Sequence, residues 1–120
     1  MKTGIELIAE ERQRQIDVEG YTEQHDSQHK ISEFVYAAIA YIESAKIGIS
    51  SLELWNDDVS TILARKTEIG NACIPWKGAF KASTDVRDLV KAGALIAAAI
   101  DRLQKEPKAA EIAEKITKIK

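Results

Sequence analysis

The chain has 120 residues, of which 45% are apolar, and a formal net charge of -2 with an isoelectric point near 5.7. This size predicts a single domain with its own core. The nearly balanced charge argues against a surface for duplex nucleic acid, and the longest uncharged runs are shorter than the roughly 20 residues that cross a bilayer. We therefore expect a cytoplasmic protein with no membrane and no duplex nucleic acid among its partners.

A predicted helix opens the chain, and a polar segment follows it. Thr3 and Glu6 form a capping box, in which each side chain can accept a hydrogen bond from a free backbone N–H, so we place this helix at residues 3–18. Gly20 is expected to end it. Residues 21–30, YTEQHDSQHK, contain both histidines of the chain.

The second predicted helix covers residues 31–47 and is stopped by Gly48. It carries no charge between Phe34 and Ile42, which is typical of an inner helix. The side chains that we expect to face the core from this helix are Ile31, Phe34, Val35, Ala38, Ile39 and Ile42.

Residues 49–83 are the least regular part of the chain. One short helix is expected near Val59, with Asn56 or Asp57 as its cap, and loop follows it. The large aromatic side chains of this segment are expected to pack at the end of a bundle or, alternatively, to stack on a base. They are Trp55, Trp76 and Phe80.

The chain is organised around a third long helix at residues 84–104, which Thr84 caps. Between Asp88 and Asp101 its single charge is Lys91, and an ammonium taken out of water needs a carboxylate, carbonyl groups or an anionic ligand. The face expected to form the core carries Leu89, Ile96, Ile100 and Leu103 together with Ala92 and Gly93. The opposite face, with Ala94 and Ala98, is expected to be covered too.

A last amphipathic helix, at residues 108–119 after Pro107, is expected to be peripheral. The pattern as a whole predicts an all-α bundle of four to five helices. Alanines on the two inner helices would let two backbones approach closely, within one chain or across a dimer, so we expect a homo-oligomer that forms through these helices.

Two sets of side chains are candidates for binding a metal. His25, His29 and Glu33 have the spacing i, i+4, i+8 and could bind a divalent metal from one helical stripe, or simply lie in a polar loop. Glu33 and Asp88 begin the two inner helices and could hold Mg²⁺, or else interact with the helix dipoles there.

Four basic side chains, Arg12, Arg14, Arg87 and Lys91, are candidates for binding phosphate. The alternative is that they are solvated or paired with Glu10, Glu11 and Asp88, and for Arg14 this alternative is favoured. Arg87 and Lys91 lie one helical turn apart, and neither has a carboxylate four residues later.

Several motifs occur in a recognisable order. They are ERQRQI at 11–16, EGY at 19–21, HD at 25–26, SEFVYAA at 32–38 and RDLVKAGALIAAAIDRL at 87–103. This order resembles a family of small helical proteins of tailed phages, which are themselves similar to the MazG-like all-α nucleotide pyrophosphohydrolases. The resemblance covers about residues 5–47 and 75–103.

The resemblance implies a Glu-x-x-Glu on one helix and a Glu-x-x-Asp on a later one, which together hold the Mg²⁺ that binds a nucleoside triphosphate. Placed on this chain, the pattern keeps Glu33 and Asp88, but Tyr36 and Lys91 stand at the partner positions. A lysine can hold phosphate but cannot generate a metal-bound hydroxide. Asp26, Glu43 or Asp101 would be needed to restore an acidic site.

The favoured function is therefore a nucleotide-binding protein that requires no cofactor. Its most concrete form sequesters a host immune signalling nucleotide and counters antiphage defence. Alternatives are a Mg²⁺-dependent pyrophosphohydrolase and a helical protein-interaction module. The ligand-binding residues predicted for the favoured function are Arg87, Lys91, Arg12 and His25 for phosphate, and Tyr21, Tyr36 and Trp76 for the base.

Overall fold

The computed structural model describes residues 1–17, 30–74 and 80–119. All regular structure in these residues is helical, which confirms the predicted all-α bundle. The α-helices in the described ranges are α1 (Gly4–Asp17), α2 (Ile31–Ser50), α3 (Val59–Cys73), α4 (Asp85–Gln104) and α5 (Pro107–Ile119).

Local capping sets the start of two helices as the sequence predicts. The Thr3 hydroxyl accepts a hydrogen bond from the Glu6 backbone N–H, and the Glu6 carboxylate accepts one from the Thr3 N–H, both at 3.2 Å. At the start of α4, the Thr84 hydroxyl accepts a bond of 3.3 Å from the Arg87 N–H. These bonds satisfy donors that the first turn of a helix leaves free.

The predicted stop of α2 at Gly48 is wrong. The helix continues to Ser50 and passes into a π-helical turn, Ser51–Trp55, which ends where Asn56 adopts a left-handed conformation with φ of 52°. A Cβ atom on Gly48 would lie 2.1 Å from a carboxylate oxygen of Asp85, so this glycine permits the close approach of α4.

The segment after α2 is more helical than predicted. In place of one short helix, α3 has 15 residues. Its cap is Asp58, one or two residues later than expected, and the Asp58 carboxylate accepts a 2.7 Å hydrogen bond from the Thr61 N–H. This bond holds the pKa of Asp58 below that of a free aspartate.

Helices α2 and α4 form the centre of the bundle and run antiparallel. Gly48 meets Asp85, and Ser44 meets Asp88 further along the pair. Their shared core consists mainly of small side chains, which lets the two backbones approach closely. The buried residues of this core are Phe34, Ala37, Ala38, Ala92, Leu95, Ala98 and Ala99.

The predicted core face of α4 is wrong for its four large aliphatic residues and right for Ala92, which is buried, and half of the predicted face of α2 is wrong as well. Phe34 and Ala38 are buried as expected, and so are Ala94 and Ala98 on the other side of α4. The large aliphatic residues lie on a different side, because α2 and α4 pack through alanines and turn their bulky rows outward. The exposed residues are Val35, Ile39, Ile42, Leu89, Ile96, Ile100 and Leu103.

The inner alanines are therefore buried within one chain and are not free for contact between chains. The other helices pack around this pair: α1 lies on α4, where Ile8 sits against Gly93, and α3 lies on α2. Helix α5 is peripheral, as predicted, and has no buried residue. Within the described ranges, no helix has the length and apolar character needed to span a bilayer.

Candidate functional site

A buried cluster of charged groups lies where α4 begins. The Lys66 ammonium, from α3, is 2.6 Å from a carboxylate oxygen of Asp85 and 2.9 Å from one of Asp88. The Ser44 hydroxyl, from α2, donates a 2.7 Å hydrogen bond to the same Asp88 oxygen. Asp88 is fully buried, and only 4% of the Lys66 side chain is exposed. The cluster therefore joins three helices through charges that depend on one another.

The acidic residues of this cluster are of a kind that could bind Mg²⁺. Asp85 and Asp88 supply an acidic pair three residues apart, and the Oδ1 atom of Asp88 is buried without a hydrogen-bond partner in the described part of the chain. However, the Lys66 ammonium already occupies the position between the two carboxylates. A divalent ion there would face this fixed positive charge, so the residues present do not suit Mg²⁺.

Glu33 and Asp88 are not brought together. Glu33 accepts a 2.9 Å hydrogen bond from the Lys30 backbone N–H at the start of α2. Asp88 meets α2 at Ser44, which is eleven residues further along and therefore roughly 16 Å away along the helix axis. Within the described residues, no group of three His, Cys, Asp or Glu side chains has the geometry of a metal site.

A second buried carboxylate, Glu11 of α1, holds two arginines. Arg14 donates to both of its oxygens, at 2.8 and 2.9 Å, and the Arg87 guanidinium from α4 donates to it as well. Burial raises the pKa of Glu11, but the hydrogen bonds and charges of Arg14 and Arg87 outweigh this and hold the pKa below that of a free glutamate. Arg14 is thus paired as favoured, and Arg87 is also compensated, by a residue distant in sequence.

Lys91 has a different environment. Its ammonium lies over the Tyr41 ring, 5.4 Å from the centroid, and Tyr41 itself packs against the buried Phe80 at 4.9 Å between centroids. Lys91 is half-buried, and no carboxylate of the described residues forms an ion pair with it. A cation–π contact satisfies the charge only in part, so its N–H donors remain suited to an anionic ligand.

The remaining predicted site residues are scattered or lie outside the described residues. Arg12 is half-buried on α1, and the Tyr36 ring is exposed on α2. Arg87 and Lys91 share a helix but turn to different neighbours, Glu11 and Tyr41. The predicted residues outside the described ranges are Tyr21, His25, His29 and Trp76.

Three residues of the site were missed in the sequence. Asp85 was detectable, because Asp85-x-x-Asp88 meets the implied acidic pattern better than Asp88-x-x-Lys91 does. Lys66 resembles any surface lysine in sequence, and nothing local indicates its burial. Tyr41 lies in the uncharged run of α2, where the pattern predicts that an aromatic residue is part of the core. Its contact with Lys91 depends on the pairing of α2 with α4.

Comparisons with known proteins give no match to a protein-family model, to a curated protein or to a solved structure.

Proposed function

We propose that this protein binds a phosphorylated nucleotide and does not hydrolyse it. The observation that carries the proposal is the half-buried Lys91 ammonium, which has an aromatic ring beneath it and no carboxylate partner among the described residues. Such a group gains from a phosphate oxygen, because a charge-assisted hydrogen bond replaces the water that burial has removed.

The cluster around Lys66 supports binding without hydrolysis. In hydrolysis assisted by Mg²⁺, free carboxylates hold the metal, whereas Asp85 and Asp88 are here neutralised by an internal ammonium. The ammonium of Lys66 forms ion pairs within the fold, whereas the ammonium of Lys91 is proposed to bind the phosphate of a ligand. Arg87, one turn before Lys91 and with 39% of its side chain exposed, would add a second donor at the rim.

The resemblance to phage proteins gives this proposal its most concrete form. The protein would act in the host cytoplasm as a homo-oligomer and would sequester an immune signalling nucleotide, with Arg12 and His25 as further phosphate contacts. Tyr21, Tyr36 and Trp76 are the proposed stacking residues. Capture without turnover suits such a role, because sequestration needs affinity and stoichiometry instead of catalysis.

The acidic pair favours one alternative, a Mg²⁺-dependent pyrophosphohydrolase. Asp85 and Asp88 have the implied spacing, and Asp88 Oδ1 is without a hydrogen-bond partner in the described ranges. Under this alternative Lys66 would have to leave both carboxylates before a metal could bind.

Thermal unfolding of the purified protein with cyclic and linear mono- and dinucleotides and nucleoside triphosphates tests the proposal. Each nucleotide is added with Mg²⁺ and with EDTA, and its fate is then followed by chromatography. We expect at least one nucleotide to raise the midpoint in EDTA and to be recovered intact; at a hundred times the Kd the stabilisation is about 2.7 kcal/mol. Products that form only with Mg²⁺ would establish the hydrolase, and no shift with any nucleotide would refute binding.

A matched pair of variants assigns the site. Lys91→Gln should weaken binding by roughly 10-fold or more, since hydrogen bonds to charged groups contribute about 1.5–3 kcal/mol. Lys108→Gln, an identical change at an exposed position of α5, should leave the affinity unchanged. Equal affinities for both variants would place the ligand elsewhere.

A further inference from the structure

Gln15 of α1 carries a buried hydrogen-bond acceptor that the fold does not use. The residue is 3% exposed, and its side-chain oxygen, Oε1, has no hydrogen-bond partner in the parts of the chain that the structure describes. Burying an amide oxygen in this way costs free energy, because the oxygen has lost its hydrogen bonds to water. Native proteins usually satisfy such an atom with an ordered water or with a ligand.

The orientation of this amide is set by Glu11. The Nε2 group of Gln15 donates a hydrogen bond of 3.4 Å to Oε2 of Glu11, one turn earlier on α1. Turning the amide over would bring its oxygen against a carboxylate that Arg14 and Arg87 keep ionised, and two acceptors repel each other. The nitrogen therefore faces Glu11, and the oxygen remains the unused acceptor.

Arg14 and Arg87 connect this buried pair with solvent. Both guanidinium groups donate to Glu11, and their side chains are 36% and 39% exposed. Two guanidinium groups and one carboxylate leave the cluster with a net positive charge. A ligand that approaches Gln15 past these groups gains from carrying negative charge, whereas the part of it that reaches Oε1 must donate a hydrogen bond.

Helices α1 and α4 run antiparallel at this cluster. Ile8 meets Gly93, and further along α1 Glu11 meets Arg87, which lies earlier on α4. Residue numbers therefore rise along α1 in the direction in which they fall along α4.

Gln15 and Lys91 consequently lie on opposite sides of the pair formed by Glu11 and Arg87. Gln15 is one turn after Glu11, towards the beginning of α4. Lys91 is one turn after Arg87, in the other direction. The two positions are about two helical turns apart, roughly 11 Å along the axes. This separation suits a nucleotide whose phosphate lies at Lys91 and Arg87 and whose base reaches Gln15.

The amide of a glutamine presents an acceptor and a donor side by side. Nε2 of Gln15 has a second hydrogen besides the one directed at Glu11. Adenine and cytosine offer the complementary pair, an exocyclic amino group next to a ring nitrogen, and glutamine can bind adenine through two hydrogen bonds. Hypoxanthine and uracil carry a carbonyl oxygen in place of the amino group, and this oxygen would face Oε1 as a second acceptor.

We propose that Gln15 recognises the base of the bound nucleotide and selects one with an exocyclic amino group, adenine or cytosine. The inference rests on the proposed nucleotide-binding function and adds the class of base to it. Oε1 of Gln15 accepts a hydrogen bond from the amino group of the base, and Glu11 positions the amide for this contact.

Isothermal titration of the unmodified protein with matched nucleotides tests this proposal. The probes are the mono-, di- and triphosphates and the cyclic dinucleotides of adenosine, each compared with the same form of inosine. Cytidine and uridine phosphates form a second matched series. We expect the member with the amino group to bind at least 10-fold more tightly in at least one series, because the other leaves Oε1 unpaired.

The outcomes separate this proposal from the one on which it rests. Nucleotides that bind equally well within every matched pair would overturn base recognition by Gln15 and leave nucleotide binding standing. A preference for inosine or uridine would overturn it too. If no nucleotide binds, both proposals fail.

A pair of variants assigns the preference to Gln15. Gln15→Met removes both polar atoms at a similar size, so it should reduce the affinity ratio within a matched pair to about 2-fold or less. Gln13→Met, the same change at an exposed position of α1, should keep the ratio of the unmodified protein. A ratio that Gln15→Met leaves unchanged would overturn the proposal. The titrations of the unmodified protein decide the matter in the case that Gln15→Met fails to fold.

Discussion

Lys66 and Lys91 lie in neighbouring parts of the same bundle, but their charges have different surroundings: two carboxylates lie beside Lys66, and an aromatic ring lies beneath Lys91. Lys66 is buried between Asp85 and Asp88, and its burial would be prohibitive without them. Lys91 is half-buried over the Tyr41 ring and has no such partner in the described ranges. The difference teaches that two lysines of one bundle can be buried by different means, one by ion pairs with carboxylates and the other by an aromatic ring.

The largest effect is expected at Lys66. Lys66→Ala leaves Asp88 buried and uncompensated, so we expect the free energy of unfolding in urea to fall by about 3–5 kcal/mol. Lys66→Met combined with Asp88→Asn removes both charges and should restore much of this loss. Lys108→Ala is the exposed control. A loss below about 1 kcal/mol for Lys66→Ala would mean that the cluster does not stabilise the fold.

A smaller loss of stability is expected from a substitution that crowds Phe80, the residue that packs against Tyr41 beneath Lys91. A Cβ atom on Gly70 would lie 2.1 Å from the ring of Phe80, and this ring packs against Tyr41. Gly70→Ala should therefore lower the free energy of unfolding by about 1–3 kcal/mol and weaken nucleotide binding too. Gly4→Ala, where the added atom meets nothing within 4 Å, should cost nothing. Equal stability of the two variants would show that Phe80 moves freely.

Arg87 is paired with a buried carboxylate as Lys66 is, and this pairing should make the stability of the fold depend on pH in acid. The pKa of Glu11 is lowered in the folded chain by its pairing with Arg14 and Arg87, so its contribution to stability is complete above the ordinary pKa of a glutamate and is lost as the pH falls through the lowered pKa. In urea unfolding, the stability difference between the natural protein and Glu11→Gln should shrink from pH 6 to pH 3. A difference that is constant with pH would contradict the Arg14 and Arg87 pairing.

The smallest change in stability is expected at Lys91 itself. Lys91→Gln removes one cation–π contact, which is worth about 0.5–1 kcal/mol at a partly exposed site. Urea unfolding should thus show a loss several times smaller than that of Lys66→Ala. A loss of similar size would indicate that Lys91 completes the fold, and the case for a ligand there would fail.

The sequence by itself determined the helices wherever the deciding interactions are local. Thr3 with Glu6 and Thr84 with Arg87 set helix starts through contacts three residues apart, and Pro107 begins α5. The odd position of Lys91 was also visible, because a lone charge in an apolar helix stands out in any fold. The local sequence did not predict the role of Gly48. This glycine allows the close approach of Asp85 from α4 and does not end its own helix.

The tertiary structure alone decided which faces are buried and which charges meet. Periodicity marks an apolar stripe without saying what packs on it, so Leu89 and Ile96 look like core until α2 is found on the alanine side of α4. Lys66 meets Asp85 and Asp88 across 19 and 22 positions of sequence, and Arg87 meets Glu11 across 76. Such pairs form because helix packing fixes distances that no local pattern encodes.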